Sequence, residues 1–311
     1  VSAPAVTVVI PTFNGRARVP LVLEALRDQA GGVAFEVLVV DNASTDGTGA
    51  AVEAHPAASA LRAAGVEVRV LPEPRAGLTH ARARGVAGAR GELVCFLDDD
   101  NLPQSGYLAC GAAAFRDPGV GLLTSRVFPR YEAEPAPAMR RREHLLAINH
   151  LLGDEVLDWG ATPSVAPTLG AGLWVRKSAF ERAASARLPD RLPGSLSSGG
   201  DVELGVAIGG AGFRRLYVPC LRLWHVIPPE RVRTRYFCRL IYGIVRSRLA
   251  VEALYEGRGG RRRDRAVALA RLLIGAGAVP ALLARRDGRR EALFVLASRW
   301  AELRGPLRDR V

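Results

Sequence analysis

The first hundred residues alternate between two hydrophobic periods. "VTVVI" at 6–10 is an unbroken apolar run of strand length closed by Pro11, and "FEVLVVD" at 35–41 is a second. "VEVRVL" at 66–71 alternates apolar and polar positions, and a fourth run covers 92–97. Between them, residues 19–30, 48–64 and 79–89 carry apolar positions at helical spacing, and the turn-rich "NASTDGT" offers capping residues for the middle segment. Strands alternating with helices of about a dozen residues predict a parallel α/β sheet. In such sheets ligands bind at the carboxyl ends of the strands.

Beyond residue 104 the alternation loosens. The spacing predicts a helix over 104–116, a strand over 120–127 and a basic helix over about 138–152. A loop rich in Pro, Gly and Ser follows at 153–172, and "LWVRKSAF" reads as a strand turning into a helix. "LPGSLSSGG" at 192–200 reads as a loop opening onto a helix from about 201 to 211, with "FRRLYVP" as a last strand. Everything from about 231 reads as helical, and no internal repeat is evident. The expected organisation is an α/β body, 1–230, with a mostly parallel sheet flanked by helices. Its halves are 1–103 and 104–230, and an all-helical region, 231–311, follows.

Chemistry enters at "CFLDDDNLP", residues 95–103, where an apolar run ends in Asp98, Asp99 and Asp100. Adjacent carboxylates repel. A solvated turn is one explanation, because Asp, Asn and Pro favour turns. A bound dication is the other, because hard cations take oxygen ligands and cancel the repulsion. Asp41 and Asp46 also fall where strands end, which solvated turns alone do not explain. The first strand leads into "PTFNGR", which is neither GxGxxG nor GxxxxGK[ST]. A dinucleotide-binding turn and a phosphate loop are therefore excluded there. Magnesium or manganese on the acid run, bridging diphosphate oxygens, is the remaining way to hold phosphates.

An apolar content of 49% in 311 residues can fill a real core. The four cysteines, Cys95, Cys110, Cys220 and Cys238, lack CxxC spacing. They are expected as buried free thiols, which fits a reducing cytoplasm. No basic-then-apolar leader opens the sequence. The net charge of +12 is uneven, since residues 231–311 hold 20 Arg and no Lys against seven acids, a net of +13. An anionic partner at that end is expected.

Six segments together resemble a known family: "VVIPTFN" (8–14), "VLVVDNASTDGT" (37–48), "AGLTHARARG" (76–85), "FLDDD" (96–100), "GAGLWVRKSAFE" (170–181) and "GGDVELGVAIGGAGF" (199–213). Their order and spacing resemble family 2 glycosyltransferases with the GT-A fold, over roughly residues 5–245. The resemblance implies an inverting, metal-dependent transfer of a sugar from a nucleoside-diphosphate donor, a UDP-sugar, to a hydroxyl acceptor. It implies Mn2+ or Mg2+ as cofactor. Pro11 and Thr12 would border the uridine pocket, Asp41 would accept from the base, and Arg75 and Gly77 would lie along the nucleotide. Asp100 would ligate the metal, with Asp98 or Asp99 facing the ribose or a metal-bound water. Asp201 would be the general base, its ionised form favoured by a helix N-terminus. Gly200 stands where the family often has Glu, so the base role falls to Asp201, with Glu203 the weaker candidate. His225 is either a further metal or diphosphate ligand or structural. Trp174, just past the turn at Gly172, either stacks on a sugar or is core. A nucleotidyltransferase and a non-catalytic sugar-nucleotide-binding scaffold are the alternatives.

The most apolar stretch, "AVALARLLIGAGAVPALLA" at 266–284, is interrupted by Arg271 and weakened by two glycines and Pro280. It falls short of the about 20 apolar residues of a spanning helix. Arginine-flanked apolar helices with a Trp resemble segments that lie on anionic lipid. Peripheral placement at the inner face of a membrane, a helical hairpin packed on the body, and a homodimer contact are the readings left open. Nucleic acid is disfavoured, because stacking aromatics are scarce.

Overall fold

The computed structural model describes residues 4–183, 196, 198–255, 262–277, 279–283 and 287–306. The expected loop at 192–200 lies largely outside them. Among the described residues the strands are β1 (Val6–Thr12), β2 (Phe35–Asp41), β3 (Val68–Pro72), β4 (Leu93–Phe96), β5 (Asn101–Pro103), β6 (Val120–Tyr131), β7 (Leu157–Asp158), β8 (Leu173–Arg176) and β9 (Arg214–Ile227). The helices are α1 (Val19–Arg27), α2 (Thr48–Ala54), α3 (Pro56–Ala63), α4 (Leu78–Gly88), α5 (Tyr107–Ala114), α6 (Pro137–Arg140), α7 (Lys177–Arg182), α8 (Gly200–Gly210), α9 (Thr234–Tyr255), α10 (Arg262–Gly277), α11 (Val279–Leu283) and α12 (Gly288–Arg304).

One sheet runs in the order β3-β2-β1-β4-β8-β6-β9-β5, with β7 on β9. β3, β2, β1 and β4 are parallel, whereas β8 is antiparallel to β4 and β6, and β5 to β9. The sheet is thus half parallel and half antiparallel, more mixed than the expected one. β1 is buried along its whole length, as a parallel strand covered on both faces must be. Pro11 does not end it. Val9 O accepts from Leu97 N, so the odd residues of β1 face β4. β4 pairs only as far as Val9, so the missing N–H of Pro11 falls past its end and costs no ladder bond.

The expected helix over 48–64 is two helices. Pro56 disfavours helical geometry at His55, whose ψ is 137° and whose Nδ1 accepts from Ala57 N at 3.2 Å. The expected basic helix over 138–152 is also absent. α6 is followed by single 3-10 turns at Glu143–Leu146 and His150–Leu152, and Ala147 lies at φ 58°. Asn149 then spends its amide on β6, accepting from Val127 N at 2.7 Å and donating to Ser125 O at 2.9 Å. The expectation of four free thiols is corrected: Cys110 of α5 and Cys220 of β9 form a disulfide, while Cys95 and Cys238 are free. Partners 110 residues apart carry no spacing signal. The bridge removes the ground for assigning a reducing compartment.

The chain divides into two compact units. One comprises the described residues of Val1–Arg130, Ala147–Arg187 and Asp201–Val226, and the other those of Tyr131–Leu146, Leu188–Gly200 and Ile227–Val311. The second therefore draws in a segment, Tyr131–Leu146, that was expected within the body. In the first unit a core of Val9, Leu38, Val40, Phe96, Leu122, Leu173 and Val175 lies between sheet and helices. In the second, Phe237 of α9 meets Phe294 of α12 with ring centroids 5.2 Å apart. No described helix is long and apolar enough to cross a membrane.

Trp174 belongs to the first core rather than to a sugar-stacking surface. It is wholly buried on β8, its Nε1 donates to the Tyr107 hydroxyl at 3.1 Å, and the two rings lie 5.7 Å apart. Trp174→Ala is expected to cost about 3–5 kcal/mol of folding stability. Urea denaturation would show this as a lower midpoint, and an unchanged midpoint would contradict the core assignment.

Candidate active site

Two groups of residues gather at the carboxyl ends of the parallel strands. The first surrounds Asp41. Register places Thr12 beside Asp41 and Pro11 beside Val40. Asp41 Oδ1 accepts from Ser44 N at 3.2 Å, so the carboxylate closes a turn rather than capping a helix. Asp46, in the segment that offered capping residues, sits one residue ahead of the N-cap Gly47, and its carboxylate accepts from Thr48 N at 3.0 Å. Asn42, which the sequence did not single out, fastens the neighbouring loop. Its Nδ2 donates to Arg75 O at 2.7 Å and to Glu73 O at 3.1 Å, and its Oδ1 accepts from Gly77 N at 2.8 Å. Arg75 forks onto Glu73 at 2.9 and 3.0 Å, and those hydrogen bonds hold the Glu73 carboxyl well below the usual range. Pro11, Thr12, Asp41, Arg75 and Gly77 are thus brought to one edge of the sheet.

The second group is the acid run beyond β4. Asp99 is consumed internally. Arg18 donates to both of its oxygens at 2.9 Å, and the Thr12 hydroxyl donates to Oδ2 at 2.6 Å. Asp98 is partly exposed, and Asp100 is buried. Asn101 Nδ2 donates to Asp100 Oδ1 at 2.9 Å, and His225 Nε2 lies 3.5 Å from Asp100 Oδ2. His225 reaches this position through β5, a short strand absent from the sequence expectations, which pairs Asn101 with His225.

Asp201, in the first turn of α8, joins this group through Arg82. The Arg82 guanidinium bonds Asp201 Oδ1 and lies 4.0 Å from Asp98. Arg82 is buried on the inner face of α4 and packs over the Phe96 ring. Helical spacing carried its signal, because Arg82 interrupts a buried stripe of Ala81, Gly85 and Val86. A charged residue in such a stripe requires an acid nearby. Two glycines make the approach. A Cβ at Gly85 would strike Val9, and one at Gly170 would strike the Asp201 carboxylate.

Glu203 and Gly172 do not join the site surface. Glu203 is fully buried, so no acceptor contact is assigned to it. Gly172 adopts φ 64° and is hemmed in by Leu223, the Tyr107 hydroxyl and Ser125. Among the described residues no three His, Cys, Asp or Glu side chains converge as a ready metal cage.

The model of Glycosyl transferase family 2 matches residues 7–181, more than half of the chain. The chain belongs to that family. An uncharacterized glycosyltransferase of Mycobacterium bovis is 36% identical over 125 residues, which is 40% of this chain and 50% of the relative. A pre-mycofactocin glycosyltransferase of Mycobacterium tuberculosis is 28% identical over 221 residues, 71% of this chain and 42% of the relative. The match thus spans half or less of these relatives' length. Among solved structures, a mannosyltransferase of Pyrobaculum calidifontis in complex with GDP-Man and Mn2+ matches with TM-score 0.56 at 21% identity, covering 97% of this chain and 86% of that one. S. aureus TarS 1-349 in complex with UDP matches with TM-score 0.51 at 16% identity, covering 96% and 90%. The fold of this glycosyltransferase family 2 chain is GT-A, and its helical C-terminal region lies within the compared length.

Crowding sets the electrostatics. Burial, together with the charges of Asp100, Asp201 and Asp99, pushes Asp98 up to about 7 against the opposing pull of Arg82. The folded state then binds a proton that the unfolded chain releases near the ordinary 3.8. The stability contributed by that proton is full below the unfolded value and is lost as pH rises through 7. Asp98→Asn in metal-free buffer is therefore expected to melt above the parent at about pH 8, with the gap closing toward about pH 5. A gap that does not change with pH would contradict the assignment.

Proposed function

We propose that the chain transfers a sugar from a nucleoside-diphosphate donor, a UDP-sugar, to an acceptor hydroxyl with inversion at the anomeric carbon. The reading rests above all on one observation: Asp201 and Asp98, carried by α8 and the end of β4, share the buried guanidinium of Arg82. That contact supports Asp201 as the base, beside the acid run. In the reaction Asp201 takes the acceptor hydroxyl proton as that oxygen bonds the anomeric carbon. The bond from sugar to diphosphate breaks, and the electron pair leaves with the nucleoside diphosphate. Arg82 orients Asp201 for this, and Gly170 keeps the space beside its carboxylate clear.

The residues present fit Mn2+ or Mg2+. Four carboxylates, Asp98, Asp99, Asp100 and Asp201, gather at this end of the sheet, with Arg18 on Asp99 and Arg82 between Asp201 and Asp98, and burial together with the neighbouring acids raises Asp98. Such ions need only one or two carboxylates when diphosphate oxygens complete their shell, so a three-residue cage is not required. Asp100 and Asp98 would hold the ion, with His225 alongside, and when bound it would neutralise the departing diphosphate. Asp41, Thr12, Pro11, Arg75 and Gly77 would hold the nucleoside. The Mn2+ of the Pyrobaculum mannosyltransferase complex fits this assignment.

The test is hydrolysis and transfer from a panel of UDP- and GDP-sugars, with Mn2+ and with chelator. Asp201→Asn is expected to lower turnover by about 10²–10⁴ while UDP binding is unchanged. Asp100→Ala is expected to lose both turnover and metal-dependent nucleotide binding. Full turnover in Asp201→Asn would overturn the base assignment, and full turnover in chelator would overturn the metal. An axial-to-equatorial change at the anomeric carbon, read by NMR, tests inversion.

A further inference from the structure

We propose that the outer faces of α10, α11 and α12 form a docking surface for an anionic lipid bilayer, on which the helical unit lies without crossing. The observation is a pair of apolar faces that the described packing leaves uncovered. Among the α10 residues whose burial is described, Ala268 and Gly275 are buried, two turns apart on one side, and a Cβ at Gly275 would abut Val295 and Arg299 of α12. The opposite side carries Leu269, Leu273 and Ile274, and the last two are 65% and 73% exposed. Leu283 of α11 is exposed as well. In α12, Phe294 and Ala301 turn inward, while Arg289, Leu293, Trp300 and Arg304 follow one another at helical spacing along the exposed side. The Arg304 guanidinium lies 5.0 Å over the Trp300 ring.

Scattered exposed leucines are ordinary. These are not scattered, since they recur at helical period and α12 brackets its apolar stripe with arginine at both ends. Exposed apolar side chains flanked by arginines can settle at the lipid interface, the apolar groups toward the acyl chains and the guanidinium groups at the phosphates. Charge selects the occupant. Residues 231–311 hold 20 Arg and no Lys against seven acids. A second copy seated on the same face would bring a like-charged surface, which opposes an isologous dimer. A phosphate backbone would leave the leucines unused. An anionic bilayer takes both, apolar side chains below and guanidinium groups at the phosphates. No described helix is long and apolar enough to span. The inference is independent of the donor assignment. Arg285 and Arg286, in the densest arginine cluster of the sequence, lie outside the described residues.

The whole chain is mixed with vesicles of phosphatidylcholine alone and of equal phosphatidylcholine and phosphatidylglycerol, then floated on a density gradient. Flotation with the anionic vesicles alone, weakening as salt is raised, is the expected result. The paired change L273N/I274N should reduce partitioning about tenfold, because the lost apolar contact is the inserted part. Those side chains are exposed, and an unchanged melting temperature verifies folding. R289Q/R304Q should reduce flotation with anionic vesicles and weaken its salt dependence. Trp300→Phe should abolish quenching of tryptophan emission by brominated acyl chains. Failure of the chain to float with either vesicle overturns the proposal. So does equal flotation of L273N/I274N, or a solution dimer that L273N/I274N splits while vesicle binding is absent.

Discussion

A single buried guanidinium serves two carboxylates that the chain delivers from the loop after β4 and from the first turn of α8. Arg82 meets Asp201 directly and stands 4.0 Å from Asp98. For this to occur α4 must press close on β1, which Gly85 permits at Val9, and α8 must come close to residue 170, which only a glycine permits. One cation cannot cancel the acids around it. Arg18 is already engaged with Asp99, and Arg82 with Asp201. The acids crowd one place, where burial and their mutual repulsion raise Asp98 against the pull of Arg82.

Local pattern was enough for the parallel half of the sheet. β2 falls on Phe35–Asp41 as its apolar run demands, and β1 overruns its expected end only because Pro11 sits beyond the reach of β4. The antiparallel half was harder to read, because its partners are distant. β5 has three residues, too few for a period, and it exists because β9 pairs with it. The helix expected over 138–152 lost to Asn149, whose amide finds better partners on β6 than a helix interior offers.

The placement of candidate residues was legible where motif and strand end coincide, as at Asp41, Asp98 and Asp100, and where a motif opens a helix, as at Asp201. It was illegible where a side chain acts on another side chain. Asn42 reads as one more turn residue until the loop it holds is seen, and Arg82 reads as a helix charge until its burial is seen. Trp174 shows the converse. Its place beside a glycine turn suggests exposure, yet the Tyr107 hydroxyl and the cramped face of α5 at Gly111 take it inside. The Cys110–Cys220 bridge likewise depends on where α5 and β9 run, not on how its cysteines are spaced.

The attachment of Asp99 to Arg18 and Thr12 has a consequence for selectivity. Thr12 ends β1, beside Asp41, and Asp99 is the middle of the acid run. Their hydrogen bond ties the edge that holds Asp41 to the edge that holds Asp98 and Asp100, with Arg18 as a second tie. The two edges keep a set separation, as the jaws of a fixed gauge do. Any ligand that must touch both is measured by its own length before its chemistry is tested. Under the proposed function, a donor whose end groups were spaced too widely or too closely would be refused without any side chain having to recognise what it carries.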